Sequence, residues 1–315
     1  MLNRRHLRIK ILQAVYAYFQ SHNSDKFAAE RELFKNIEQI HDLYLYFLLT
    51  FETLVSVENR RLEELKNKRF VSEEDLNPNR KFVDNAIFAI LENNNGLASY
   101  AANRKVSWVG AEEQEMLRKV MGNIRESEVY TLYMADPQSS FEGDLNFSVD
   151  IFKECIANSS LIYNYFEEKS IHWMDDIDLA CSMVIKTLKS FTEEGTNTIL
   201  PLYKDEEDEK DFVQKLFRKS IDNYNDNKAL IDSLISNWEL DRLALMDILL
   251  MNIAITEAIE FSNIPIKVTL NEYIEISKYY STPKSNGFIN GVLDKAFARL
   301  KGDGRIVKIG RGLME

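Results

Sequence analysis

Between Leu33 and Leu54 the apolar residues fall at Leu33, Ile37, Ile40, Tyr44, Phe47, Phe51 and Leu54, in steps that alternate strictly between four and three. Leu62 and Leu65 extend the series. Residues so spaced share a face only on a backbone of about 3.6 residues per turn; a strand would scatter them over both its faces. The spacing therefore predicts one long helix over residues 30–67. Its stripe suits a bundle helix packed within the chain, with an intermolecular coiled coil as the alternative.

The other segments agree with a helical protein. Of 315 residues 45% are hydrophobic and 28% charged, with only 11 Gly and 5 Pro, so there is core material for two domains or for one domain with a large insertion. Loops are expected at Asn77 to Asn79, at 93–96 and at 136–144, with helical pieces at 81–92, 110–133, 149–168 and 171–191. Residues 195–201 read as a linker and the acidic run 205–211 as a solvated helix start, which puts a boundary near 205. Residues 211–237 are again helical. Residues 238–261 are apolar almost all round, as a buried central helix is, interrupted by Asp241, Asp247 and Asn252.

The segment 263–300 is the densest in local signals. Pro265 forbids a continuing helix, and Thr269 followed by Glu272 reads as a capping box for a helix starting near Leu270. Its inward face would be Leu270, Tyr273, Ile274, Ser277 and Tyr280. Pro283 ends it, and Ser285 can cap a last helix through Phe288, Ile289, Val292, Leu293, Ala296, Phe297 and Leu300, closed by Gly302. Gly287 and Gly291 each cost that helix about 1 kcal/mol relative to alanine. Something is expected to approach that bare backbone: a neighbouring helix, or a ligand or RNA chain.

Charge is distributed unevenly. The net charge is −11, yet residues 1–24 carry Arg4, Arg5, Arg8 and Lys10 with no acid, and residues 295–311 carry six basic residues against Asp303. The remainder is a strongly acidic body between two basic ends. Residues 3–21 read as a helix whose first turn holds the three arginines against the positive end of its own dipole. Such a cluster serves an anionic partner, unless a folded-in acidic neighbour neutralises it.

Cys155 and Cys181 make no disulfide framework, which favours a reducing, cytoplasmic setting. No signal peptide or transmembrane helix is read. His172 beside Asp175, Asp176 and Asp178 is ordinary helix-start chemistry rather than a metal site. The chain lacks GxGxxG, GxxxxGK[ST], HExxH, CxxC and GxSxG, and its middle shows no alternating strands; neither an enzyme nor a cofactor is expected.

The pattern IP-x-K-V-x-x-NE-x-I-E-I-x-K, followed by GF-I-NGVLDK at 287–295, resembles the C-terminal signature of the transcription antitermination factor NusB family. LDRLALMDILLMNIAITEAIEF and the N-terminal Gln13, Ala14, Val15, Tyr16 element fit the same resemblance. It covers roughly the last hundred residues and the first twenty. The implied fold is an all-α NusB-like helical bundle: residues 1–24 form its basic first helix, 205–302 its RNA- and partner-binding domain, and 303–315 a flexible basic tail. Residues 25–204 would be a helical insertion, or an N-terminal helical domain, of unknown role. The resemblance also implies RNA contacts by Arg4, Arg5, Arg8 and Tyr16, with His6 where the family often has arginine, and by Phe288, Asn290, Lys295 and Arg299. Contact between the first and last helices would join these into one basic surface. Asp247 reads either as a solvent-facing stripe or, with Asp241, as part of a partner surface; Asn252 stands where the family commonly has arginine. The implied partners are single-stranded boxA-like RNA, the ribosomal protein NusE and the RNA polymerase antitermination complex, with no membrane. The alternative is a protein–protein scaffold without RNA binding.

Overall fold

A computed structural model describes residues 1–21, 25–235 and 243–313. Among these residues the chain is built from fifteen α-helices with no strand, and it divides into two compact units, residues 38–202 and residues 2–37 with 203–315.

The 38–202 unit holds most of α2 (Lys26–Lys66), then α3 (Glu73–Leu76), α4 (Ala86–Glu92), α5 (Asn95–Arg104), α6 (Ala111–Glu126), α7 (Glu128–Ala135), α8 (Phe141–Ile151), α9 (Ser160–Lys169) and α10 (Ile177–Ser190). The apolar stripe is buried as its spacing demands: no member from Leu33 to Leu54, nor Leu62, is more than 2% exposed. By length and composition α2 also passes the test for crossing a membrane, but 61% of its most apolar window is buried inside the protein. Rings pack edge to face against it, Phe47 with Phe152 and Phe166 at 5.4 and 5.2 Å, and Tyr46 with Trp108 at 4.8 Å. The expected helix at 110–133 is two helices, because Ser127 is extended and its hydroxyl accepts from the Tyr130 amide, capping α7. Likewise α8 begins inside the expected 136–144 loop, capped by Ser140. The segment after α10 is fastened by Tyr44, whose hydroxyl meets Thr187 Oγ1 at 2.7 Å and accepts from the Leu200 amide at 3.0 Å.

The second unit contains α1 (Arg4–Gln20), the start of α2, α11 (Glu206–Asp222), α12 (Tyr224–Leu234), α13 (Leu245–Glu260), α14 (Ile266–Tyr280) and α15 (Ser285–Gly302). α13 is the central helix. Every residue from Asp247 to Ala258 is buried, and α1, α11, α12, α14 and α15 all pack on it. Asn252 is fully buried, donating to the Ser220 carbonyl at 2.9 Å and accepting from Asn227 at 2.9 Å, so it ties α11 and α12 to α13.

Two expectations are corrected here. α14 starts at Ile266 with Pro265 as its N-cap, four residues before the expected start. Thr269 is no cap: it lies inside the helix and donates to Glu257 at 2.8 Å. The tail expected to be flexible is docked over residues 305–313. Ile306 is buried, the Ile309 amide donates to the Ser262 carbonyl at 3.0 Å, and Lys308 donates to the Ala258 and Phe261 carbonyls at 2.8 and 2.9 Å. Lys308 thus satisfies orphan carbonyls at the end of α13, where a cation is favoured.

Candidate nucleic-acid interface

The first turn of α1 needs no acid to form. Asn3 accepts from the His6 amide at 3.0 Å, and His6 Nδ1 accepts from the Asn3 amide at 3.4 Å, a reciprocal cap with histidine in the usual glutamate position. Burial, and then the Arg5 charge, push the His6 ring below its ordinary pKa, which keeps Nδ1 free to accept.

The three arginines part company. Arg8 points inward and is 3% exposed; it holds Glu257, itself fully buried, through two bonds of 2.7 and 2.8 Å. Tyr273 adds a third donor type to Glu257 at 3.1 Å. Burial works against the Arg8 charge, but Glu257 outweighs it and raises the pKa. An arginine so enclosed cannot reach a phosphate, so Arg8 leaves the expected RNA-contacting set and becomes the bolt of the core. Arg5 and Arg4 stay at the rim. Arg5 grips Glu272 at 2.9 and 2.7 Å, and that hydrogen bonding lowers the Glu272 pKa. Arg4 pairs with Asp208 and lies 4.1 Å over the Phe212 ring.

The turn so formed faces the α13–α14 junction. Together they enclose an open pocket of about 670 Å³, with Ile264, Pro265 and Val268 as apolar wall and Asn3, Arg4, Arg5, Arg8, Asn263 and Glu272 as polar lining. A planar base could lie on such a wall while guanidinium groups meet its phosphates. Sequence reasoning missed this wall. Ile264, Pro265 and Val268 stand in the IP-x-K-V pattern that carries the family resemblance, and Pro265 also read as a helix stop, but neither reading made them a wall.

The expected union of the first and last helices takes another form. The described partners of the arginines lie on α11, α13 and α14, and α15 packs on α12, α13 and α14. Tyr16 and Phe288 are half-buried, Asn290 and Lys295 exposed, and Arg299 donates to Ser233 Oγ at 3.1 Å. Gly287 and Gly291 are exposed, and among the described residues a methyl group added at either would meet nothing within 4 Å, so no described neighbouring helix accounts for them. Asp247 is 5% exposed and accepts from the Ser281 hydroxyl, so it forms neither a solvent-facing stripe nor an open partner surface. Asp241 lies outside the described residues.

Fold and site define an all-α bundle protein that presents a cationic pocket at the start of its first helix. The sequence pattern of the NusB family matches residues 178–298. Similar proteins named transcription antitermination protein NusB include those of Chloroherpeton thalassium (44% identical over 106 residues, 34% of this chain and 50% of the relative) and Salinibacter ruber (41% over 105 residues, 33% and 66%). That of Natranaerobius thermophilus is 32% identical over 110 residues, 34% of this chain and 79% of the relative. The chain thus spans half the length of the first relative and about two thirds of the second. No solved structure matches it. The chain belongs to the NusB family.

Proposed function

We propose that the protein is a non-catalytic, cytoplasmic, RNA-binding transcription antitermination factor. In this reading it binds boxA-type single-stranded RNA together with the ribosomal protein NusE. With them it joins the complex that carries RNA polymerase through terminators on ribosomal RNA operons. The observation that carries the reading is the Arg4–Arg5 pocket, in a chain whose relatives bear the antitermination name. Arg4 and Arg5 would exchange Asp208 and Glu272 for phosphates, a modest cost because both pairs are partly exposed. His6 would hold the turn, while Tyr16, Phe288 and Asn290 contact bases and Lys295 and Arg299 phosphates.

A second reading, a protein–protein scaffold without RNA, is favoured by the internal ion pairs of all three arginines. Titrating boxA-type RNA against a scrambled RNA, with and without NusE, separates the two. Arg4→Ala/Arg5→Ala should lose affinity and flatten the log–log salt dependence by about 1.4, at about 0.7 per phosphate for single strands. Equal binding of both RNAs by wild type and variant would leave the scaffold reading.

A further inference from the structure

The connection from α2 to α3 presents apolar side chains to water. Phe70 is 84% exposed, and Val71 and Leu76 are 39% and 56% exposed. Residues 60–81, which contain this tip, carry seven basic residues against five acids in a chain of net charge −11. Among the described residues Lys66, Lys68 and Arg80 pair with Glu63, Asp75 and Asp84, while Arg60 and Arg69 pair with no acid. The Arg69 guanidinium lies 5.7 Å from the centre of the Phe70 ring instead. We propose that this tip is a second, sequence-independent contact for single-stranded RNA, in which Phe70 stacks on a base and Arg60 and Arg69 hold phosphates.

Three observations point to that partner. The tip is held in shape: the Asn67 side chain donates to the Glu63 carbonyl at 3.0 Å, and Lys68 reaches Asp75 at 2.9 Å. Ser72 and Asp75 exchange amide-to-side-chain bonds, both of 3.1 Å, at the start of α3. Phe70 thus stands between two fastened ends, which reduces the ordering cost of binding.

The unpaired cations are guanidiniums, which match a phosphate through two parallel N–H donors. Arg80 stands at the same end of α2, donating to Asn59 Oδ1 at 3.3 Å, and its pair with Asp84 is exposed enough to exchange for a phosphate. The acids, finally, are placed against a flat partner. Glu73 and Glu74 are exposed on the same four-residue helix as Leu76, so an anionic membrane covering the three apolar residues would meet both. A single strand is narrow enough to pass Phe70 and the arginines alone. Every base has a π-face, so one ring reads no sequence. The contact goes beyond the function proposed above, since it needs no boxA element and shares no residue with the Arg4–Arg5 pocket.

Fluorescence anisotropy of the full chain with an oligouridylate of about 16 nucleotides tests the proposal. Wild type and Arg4→Ala/Arg5→Ala serve as the two backgrounds, the second with the other pocket silenced. In both, Phe70→Ala should weaken binding about fivefold or more, and Phe70→Trp should retain it because the ring is what stacks. Arg60→Ala/Arg69→Ala should flatten the log–log salt dependence by about 1.4, at about 0.7 per phosphate. Melting temperatures should not change, because all three side chains are exposed. Loss of boxA preference with Phe70-dependent oligouridylate binding intact would support this contact while removing the boxA reading. No saturable oligouridylate binding at low salt, undiminished binding by Phe70→Ala, an unchanged salt slope, or binding to phosphatidylserine vesicles in place of RNA would overturn it.

Discussion

In the 38–202 unit the interior is held by rings, Phe47, Phe152, Phe166, Trp108 and Trp173 meeting one another and Tyr46 at 4.8–5.9 Å. In the other unit the centre is an ion pair, Arg8 with Glu257, closed by Thr269 and Tyr273. Both arrangements exclude water, but they fail differently. Ring packing is indifferent to charge, whereas a buried pair stabilises only while both partners are present and correctly protonated.

The largest effects should expose that difference. Arg8→Ala leaves Glu257 buried and unpaired and should cost about 3–5 kcal/mol. Phe166→Ala opens a cavity and should cost a similar amount, about 3–5 kcal/mol. Urea denaturation of double variants separates them. Adding Glu257→Gln should return part of the Arg8→Ala loss, because it removes the unpaired charge, and none of the Phe166→Ala loss. A loss under about 1 kcal/mol in Arg8→Ala would mean that water reaches the pair.

Smaller effects sharpen the contrast. Tyr44→Phe removes the acceptor of the Leu200 amide and should cost about 1–3 kcal/mol, with faster hydrogen exchange at Leu200 as the local signature. If exchange there stays slow, the 192–202 segment is held by other contacts. At the start of α1, Asn3→Ala should cost about 1 kcal/mol in thermal unfolding. The same turn carries a pH signature. Burial lowers the folded pKa of His6, so the unfolded chain takes up the proton first. The His6 contribution is complete above about pH 6.5, the ordinary imidazole value, and is lost as pH falls toward the lowered folded value. His6→Gln should flatten the dependence of stability on pH in that range; an unchanged slope would place the titration elsewhere, His41 being lowered by burial as well.

Much of the fold was legible because helical periodicity is local. The α2 stripe, the all-round apolar α13 and the inward residues of α15 could each be read from a window of residues, and each is buried except at the ends, where Leu65 and Phe288 are half-buried. Where local signals competed, reading failed. Thr269 and Glu272 had the spacing of a capping box, yet their side chains serve Glu257 and Arg5, far away in sequence. The glycines of the tail suggested mobility, yet Gly312 is there because a carbonyl lies against it.

The sequence by itself determined the helices, the family and the presence of three arginines on one turn, since composition, spacing and motif are properties of the chain read along its length. Only the tertiary structure decided that Arg8 is a bolt while Arg4 and Arg5 rim a pocket. Successive helical positions differ by about 100°, so four residues of offset do not fix whether a charge meets water or a carboxylate 249 positions away. That choice depends on which helices pack against α1, and long-range packing is what no local window contains.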